Sequence, residues 1–150
     1  IGSDAFPYFS PKTGKLVTQW DTPYEEAVGH PRGAGTRARI LRWHREGKLG
    51  DLTLMQALSK MSYMWADYLA KNGVESMEKK GRMQEGCDAD VVVFDPKTVT
   101  DNSKMFPLEK NCLPSTGIPY VVVSGVVVVE DSKVLKDVFP GKPVRAKIVE

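Results

Sequence analysis

The sequence predicts an α/β fold, and three patterns along its 150 residues carry that prediction. A long loop rich in proline and glycine occupies most of residues 1–35, and helical periodicity follows over residues 36–72. Residues 82–150 are rich in valine runs separated by turn signals, which is typical of β-strands. Hydrophobic residues make up 41% of the chain and charged residues 27%, as expected for a globular protein with a packed core.

The first four residues, Ile1-Gly2-Ser3-Asp4, are interpreted as the end of a buried strand that delivers a carboxylate. Enzymes with a (β/α)₈ barrel keep their catalytic groups at the C-terminal ends of the barrel strands. A closed barrel needs roughly 250 residues, so 150 residues cannot contain one. Because no start methionine precedes Ile1, we expect the chain to be the last piece of a larger enzyme.

The first predicted helix has apolar residues Ala34, Ala38 and Leu41 at i, i+4 and i+7, and Gly47 and Gly50 are expected to end it. Four arginines cover the remaining face: Arg37, Arg39, Arg42 and Arg45. No aromatic platform alternates with them, so nucleic-acid binding is not favoured and a solvated helix face is predicted. The segment Gly33–Thr36 lacks the Gly-Lys-Ser/Thr ending of a phosphate-binding loop and is interpreted as a flexible hinge that enters the helix.

The second predicted helix begins at Thr53, with Gln56 three residues later in a capping-box pattern. The Ser62-Tyr63 region is expected to break it into two shorter helices, and Asn72-Gly73 is a stop signal. A stripe of large apolar side chains follows its surface: Met55, Met61, Met64, Trp65 and Tyr68. We expect this stripe to pack against a barrel or a β-domain.

The β-rich region begins with the apolar run Val91–Phe94, which Asp95-Pro96 closes. Later, the runs Tyr120–Val123 and Val126–Val129 flank Ser124-Gly125, a two-residue hairpin signal. Unbroken valine predicts burial on both faces of the sheet or a partner that covers one of them. A bare hairpin of this kind would be prone to aggregation, so we expect either a homo-oligomer formed through β edges or a less regular β region than in the intact protein.

The segment Gly2-Ser3-Asp4, followed by His30-Pro31-Arg32 and Gly33–Thr36, resembles the last barrel strand and loop of N-acyl-D-amino-acid deacylases. These are D-aminoacylase-type members of the amidohydrolase superfamily. The run from Arg82 to Asp95 is similar to the segment where amidohydrolase chains return to a small β-sandwich domain, and the hairpin follows it. The resemblance implies that residues 1–80 are the C-terminal end of a metal-dependent hydrolase barrel: its last strand, the long loop and helices. Residues 81–150 would then be part of the β-sandwich.

The resemblance also implies zinc-dependent hydrolysis of the amide bond of N-acyl-D-amino acids. Asp4 would act as general base on the attacking water and at most as a weak metal ligand, only in the intact enzyme. Arg32 would contact the substrate, since an arginine can hold a carboxylate with two hydrogen bonds. His30 would either orient this loop or contact the substrate. An alternative for Arg32 is that it anchors the loop to carboxylates of the protein itself.

The resemblance implies that the family's metal ligands lie upstream of Ile1, and two histidines cannot provide a conventional three-ligand zinc site. The chain alone is therefore expected to be inactive. The expected partner is a small N-acyl amino acid, and binding to nucleic acid or to a membrane is not expected. Two cysteines, Cys87 and Cys112, are too few for a disulfide framework and suit a cytoplasmic location.

Two alternatives to the deacylase remain open at the level of sequence. A cyclic amidase, similar to a dihydroorotase or hydantoinase, would share the strand-end aspartate and the β-domain run but not usually the His-Pro-Arg loop. A non-catalytic β-rich module for assembly would keep its fold and binding without Asp4. Near the β-domain, Asp88, Asp90 and Asp95 are predicted to cap backbone amides, and Cys87 to be buried without a catalytic role.

Overall fold

The computed structural model describes residues 1–105 and 111–146, and the chain divides into two compact units. The first unit comprises Ile1–Asp51 and Asp95–Gly117, and the second comprises Leu52–Phe94 and Ile118–Glu150. Within the described residues, three α-helices and one four-stranded antiparallel sheet are formed, which confirms the α/β class. The domain boundary expected after residue 80 concerns the intact enzyme and stays a prediction.

The long loop of the first unit is ordered by few backbone pairings. Isolated β-bridges join Phe9 to Leu16 and to Val28, and a short 3₁₀ turn spans Tyr24–Glu26. Residues 1–8 adopt no regular secondary structure, so the strand expected at the start of the chain is not formed here. A strand is held by hydrogen bonds to a neighbouring strand, and the described residues pair no strand with this segment.

Helix α1 spans Arg32–Arg45, four residues longer at its start than the predicted helical region. Gly33–Thr36, expected to be a hinge, forms its first turn instead, because Pro31 enters with helical dihedrals and Gly35 is buried. The predicted end of the helix is confirmed: Glu46 is the C-cap residue, and Gly47 follows it with a φ of +68°. Its apolar face is buried in the first unit, where Ala38, Leu41 and Val99 are inaccessible.

The second unit begins with helices α2, Leu54–Met61, and α3, Tyr63–Lys71. The predicted capping box is confirmed: the Gln56 amide donates to the Thr53 hydroxyl at 3.2 Å, and the Thr53 amide donates to the Gln56 side chain at 2.9 Å. The predicted break is also confirmed, since Ser62 has non-helical dihedrals of −137° and −81°. Asn72 ends α3, and a 3₁₀ turn at Glu75–Lys79 follows.

The sheet consists of β1, Val91–Val93; β2, Tyr120–Val123; β3, Val126–Glu130; and β4, Lys133–Val134. The strands lie in sequence order and every neighbouring pair is antiparallel. The hairpin expected at Ser124-Gly125 is confirmed, with φ values of +49° and +81° that match the twist of the flanking strands.

The apolar surfaces of the second unit are less covered than the sequence predicted. Val92 of β1 remains 55% exposed, and the predicted stripe on α2 and α3 is open, with Met55 at 71% and Trp65 at 47%. The expected burial of valine on both sheet faces is therefore not reached by the described residues. Among them, no helix is both long and apolar enough to cross a membrane.

Candidate active site

Asp4 and Arg32 form an ion pair, with 3.2 Å between the Asp4 Oδ2 and Arg32 Nη2 atoms. Asp4 lies at the end of the irregular N-terminal segment with a φ of +48°, and its side chain is 85% exposed. Arg32 is the first residue of α1 and is about two-thirds shielded from solvent. Two of the residues that the sequence singled out for chemistry thus meet, although they lie 28 positions apart.

His30, the third predicted site residue, fixes the backbone next to this pair. Its Nδ1 atom accepts a hydrogen bond from the Arg32 amide at 3.1 Å, and its carbonyl accepts one from the Tyr8 hydroxyl at 3.3 Å. The side chain of His30 therefore caps the start of α1 and orients Arg32. A role in direct contact with substrate is not tested by this geometry and stays a prediction.

Besides Asp4, the guanidinium of Arg32 contacts an aromatic ring. Its Cζ atom lies 5.2 Å from the centre of the Phe6 ring, within the range of a cation–π contact. Its Nε atom is buried and has no hydrogen-bond partner among the described residues. A guanidinium with one face on an aromatic ring is suited to a planar anion, since a carboxylate accepts two parallel hydrogen bonds from its fork of donors.

Chemically, the pair combines an accessible base and an anion-binding group. An ionised carboxylate can accept a proton, and a guanidinium stays protonated at any physiological pH. In this structure each neutralises the other, which agrees with the alternative in which Arg32 anchors the loop to a protein carboxylate. An anionic ligand at Arg32 would compete with Asp4 for the same donor.

The sequence did not identify the ion cluster that fixes α1. Asp101 is 2% exposed and accepts hydrogen bonds from Arg39 Nε and Arg42 Nε, both at 2.7 Å. Burial alone would raise the pKa of Asp101, but the hydrogen bonds from the two arginines outweigh burial and hold that pKa below its usual value. The same contact raises the pKa of Arg42.

The solvated arginine face predicted for α1 is therefore wrong for Arg39 and Arg42, whereas Arg45 is exposed. Besides Arg39 and Arg42, Arg45 donates to the carbonyl oxygen of Val99 at 2.7 Å. The Ser115 hydroxyl adds a hydrogen bond to the Ala34 carbonyl at 3.0 Å. Together these contacts fasten α1, and with it Arg32, to the segment 95–117.

The described residues contain no group of three or more histidine, cysteine, aspartate or glutamate side chains that could hold a metal ion. Asp4 is engaged by Arg32, so the described residues do not by themselves form the zinc centre that the sequence resemblance implies. We derive no chemical step through a metal from this chain.

Asp90 and Asp95 accept hydrogen bonds from backbone amides, as predicted, whereas the contact of the Asp88 side chain is an ion pair with Lys80. Lys80 pairs with Asp88 at 3.0 Å and with Asp90 at 2.6 Å, and Asp90 also accepts from the Ser124 amide at 2.7 Å. These bonds, chiefly the one from Lys80, lower the pKa of Asp90. Asp95 accepts from the Lys97 amide at 2.8 Å, which lowers the pKa of its carboxyl.

Both cysteines are free thiols and are half-buried. Cys87 lines a cleft of about 410 Å³ in the second unit, beside Lys80 and Asp88, so it is less buried than predicted. Cys112 lies in the first unit, where burial raises the pKa of its thiol. A protonated thiol is a poor nucleophile, so Cys112 has no evident catalytic role.

Comparison with known proteins identifies relatives for most of the chain. No protein-family model matches it. An N-acyl-D-glutamate deacylase from Alcaligenes xylosoxydans xylosoxydans is 38% identical over 104 residues, which cover 69% of this chain and 19% of the relative. A D-aminoacylase from the same organism is 37% identical over 107 residues, which cover 71% of this chain and 20% of the relative.

Solved structures agree with these relatives. A D-aminoacylase described as defining a novel subset of amidohydrolases matches with a TM-score of 0.58 and 36% identity, covering 73% of this chain and 21% of that one. An N-acyl-D-glutamate deacylase from Bordetella bronchiseptica, solved with zinc and a phosphonate inhibitor, matches with a TM-score of 0.57 and 38% identity. This match covers 67% of the present chain and 19% of the Bordetella enzyme.

Fold and sequence together place the chain among the amidohydrolases. Within that class it is related to the D-aminoacylases and N-acyl-D-glutamate deacylases, which confirms the resemblance found in the sequence. The chain spans about a fifth of the length of these relatives. Their metal content, described as a binuclear centre in one D-aminoacylase and as zinc in the Bordetella enzyme, is a property of those proteins.

Proposed function

We propose that this chain forms the C-terminal portion of a metal-dependent amidohydrolase that hydrolyses the amide bond of N-acyl-D-amino acids. The observation that carries the proposal is the ion pair between Asp4 and Arg32, which brings a base and an anion-binding group together in a relative of deacylases. The relatives named for D-amino-acid substrates support a deacylase over a cyclic amidase.

In this proposal the two side chains act on different parts of the substrate. Arg32 binds the carboxylate of the N-acyl amino acid, exchanging its contact with Asp4 for one with the ligand. The released Asp4 carboxylate accepts a proton from the attacking water and passes it to the leaving amine. The loop from Ala5 to Gly35 shapes the pocket around the substrate.

The metal of the intact enzyme, for which zinc is the proposed identity, would be held mainly by residues outside the 150 present here. Asp4 would be at most a weak ligand. For this reason the chain alone is proposed to be inactive, since it supplies a base and a substrate contact without the metal site. The non-catalytic assembly module stays the alternative from another class.

The role of Asp4 is tested by Asp4→Asn in the complete enzyme, with Asp51→Asn at an exposed turn as the matched control. The amide keeps the size of the side chain but cannot accept the proton, so kcat should fall by about 10²-fold or more. The control should retain full turnover. Undiminished turnover in Asp4→Asn would refute Asp4 as the base.

A further inference from the structure

The segment His30–Arg32, where the loop enters α1, has a glycine on each side, and one aromatic side chain lies against both glycines. A Cβ atom on Gly29 would stand 2.6 Å from Tyr8 Cδ1, and one on Gly33 would stand 2.8 Å from the Tyr8 hydroxyl oxygen. Both distances are shorter than a Cβ atom tolerates, so one of the partners would have to move. Tyr8 therefore occupies the space that a side chain at either glycine would need.

The position of Tyr8 is itself fixed by the backbone of the long loop. The Val17 amide donates to the Tyr8 carbonyl at 2.9 Å, and the next residue, Phe9, exchanges two hydrogen bonds with Val28 at 2.8 and 2.9 Å. These bonds hold the ring opposite the segment that leads into α1. Burial raises the pKa of the Tyr8 hydroxyl, so the group stays protonated at neutral pH and can donate to the His30 carbonyl.

We propose that Tyr8 is a positioning residue for Arg32. The Tyr8 ring packs on Gly29 and Gly33, and its hydroxyl donates to the His30 carbonyl between these glycines. These contacts restrict the segment to a single conformation. Arg32 lies between the two glycines in the chain, so these contacts fix the position of its guanidinium with respect to the Asp4 carboxylate. The inference rests on the proposed function, in which Arg32 binds the substrate carboxylate; Tyr8 acts through Arg32 and does not touch the reacting atoms.

The contact is tested first in the 150-residue chain through a double-mutant cycle on the melting temperature. Gly33 lies in a helix without a positive φ, so Gly33→Ala would ordinarily stabilise the helix. We expect it to lower Tm instead, and to lower Tm less in a Tyr8→Phe background, which lacks the hydroxyl oxygen. Gly141→Ala, where a Cβ meets nothing within 4 Å, is the control. A rise in Tm with Gly33→Ala would overturn the contact.

The positioning role is tested by kinetics of the complete enzyme on an N-acyl-D-amino acid. Gly33→Ala and Tyr8→Ala should each raise KM about tenfold while kcat changes less than about threefold, because binding of the carboxylate is lost and the base is not. Tyr8→Phe should reduce the effect of Gly33→Ala on KM. A merely structural role would lower the amount of folded enzyme and leave KM unchanged.

The outcomes separate this inference from the proposed function. Normal KM values in both Gly33→Ala and Tyr8→Ala, with turnover intact, would overturn the positioning role alone. Absence of turnover in the unsubstituted complete enzyme on every N-acyl-D-amino acid would overturn the proposed function and the substrate role of Arg32 with it. The melting cycle would still report whether the contact exists.

Discussion

At the scale of single residues, the chain separates the groups suited to chemistry from those that hold the fold. Asp4 is almost fully exposed and paired through one atom, so its contact with Arg32 is easily exchanged. Asp101 is buried and bound by two arginines, so its contacts are costly to break. The exposed pair is therefore suited to ligand exchange, whereas the buried cluster is suited to fixing α1.

Removing the charge of Asp101 should destabilise the first unit. Asp101→Asn removes the anion that Arg39 and Arg42 share, and we expect a loss of about 2–4 kcal/mol in the free energy of unfolding, since both arginines keep some solvent contact and Arg42 keeps its pair with Glu46. Chemical denaturation with Asp51→Asn as control measures the difference. A change within about 0.5 kcal/mol, the range of ordinary surface substitutions, would contradict the role.

The cluster around Asp101 also determines how the stability of the folded chain should change with pH. The pKa of Asp101 is lower in the folded than in the unfolded chain, so its ionised form contributes stability above about pH 4, the unfolded value. That contribution should be lost as the pH falls through the folded pKa. In Asp101→Asn this part of the acid destabilisation should be missing.

At the scale of elements, the sequence predicted correctly those features that depend on residues close together in the chain. The capping box at Thr53, the break at Ser62 and the hairpin at Ser124-Gly125 are confirmed, since each depends on residues within a few positions of one another. The arginine face of α1 was misinterpreted because its partner, Asp101, lies about 60 positions away. Such a pairing leaves no periodic trace in a single sequence.

The candidate site was predictable for a different reason. The residues Asp4, His30 and Arg32 were identified through a motif resemblance, and the structure brings them together. Tyr8 carries no motif of its own, and its role depends on glycines 21 and 25 positions further along. The strand expected at residues 1–4 is absent because strands need neighbours that these residues do not receive.

The sheet leads to a prediction about association. β1 lies at an edge of the sheet and Val92 remains half exposed, so edge pairing between two copies would cover apolar surface and unpaired backbone groups. We expect the sedimentation coefficient to increase with protein concentration and Val92→Lys to suppress the increase. Val144→Lys, an exposed valine outside the strands, is the control. A monomer at every concentration would contradict this prediction.

At the scale of the whole molecule, the two units contain different features. The first unit contains the Asp4–Arg32 pair and the buried cluster that fixes α1, and the second contains the hairpin sheet and the open stripe on α2 and α3. The chain corresponds to about a fifth of its deacylase relatives. We expect the remainder of a complete enzyme to supply the metal site and to cover the open apolar surfaces.

The central claim is tested most directly by comparing hydrolysis of N-acyl-D-amino acids with that of their L-enantiomers and of cyclic amides. The account predicts that the complete enzyme releases the free D-amino acid, with kcat/KM for the D-enantiomer at least about 10²-fold higher than for the others. The 150-residue chain alone should release none. Preference for a cyclic amide or for the L-enantiomer, or turnover by the chain alone, would contradict the account.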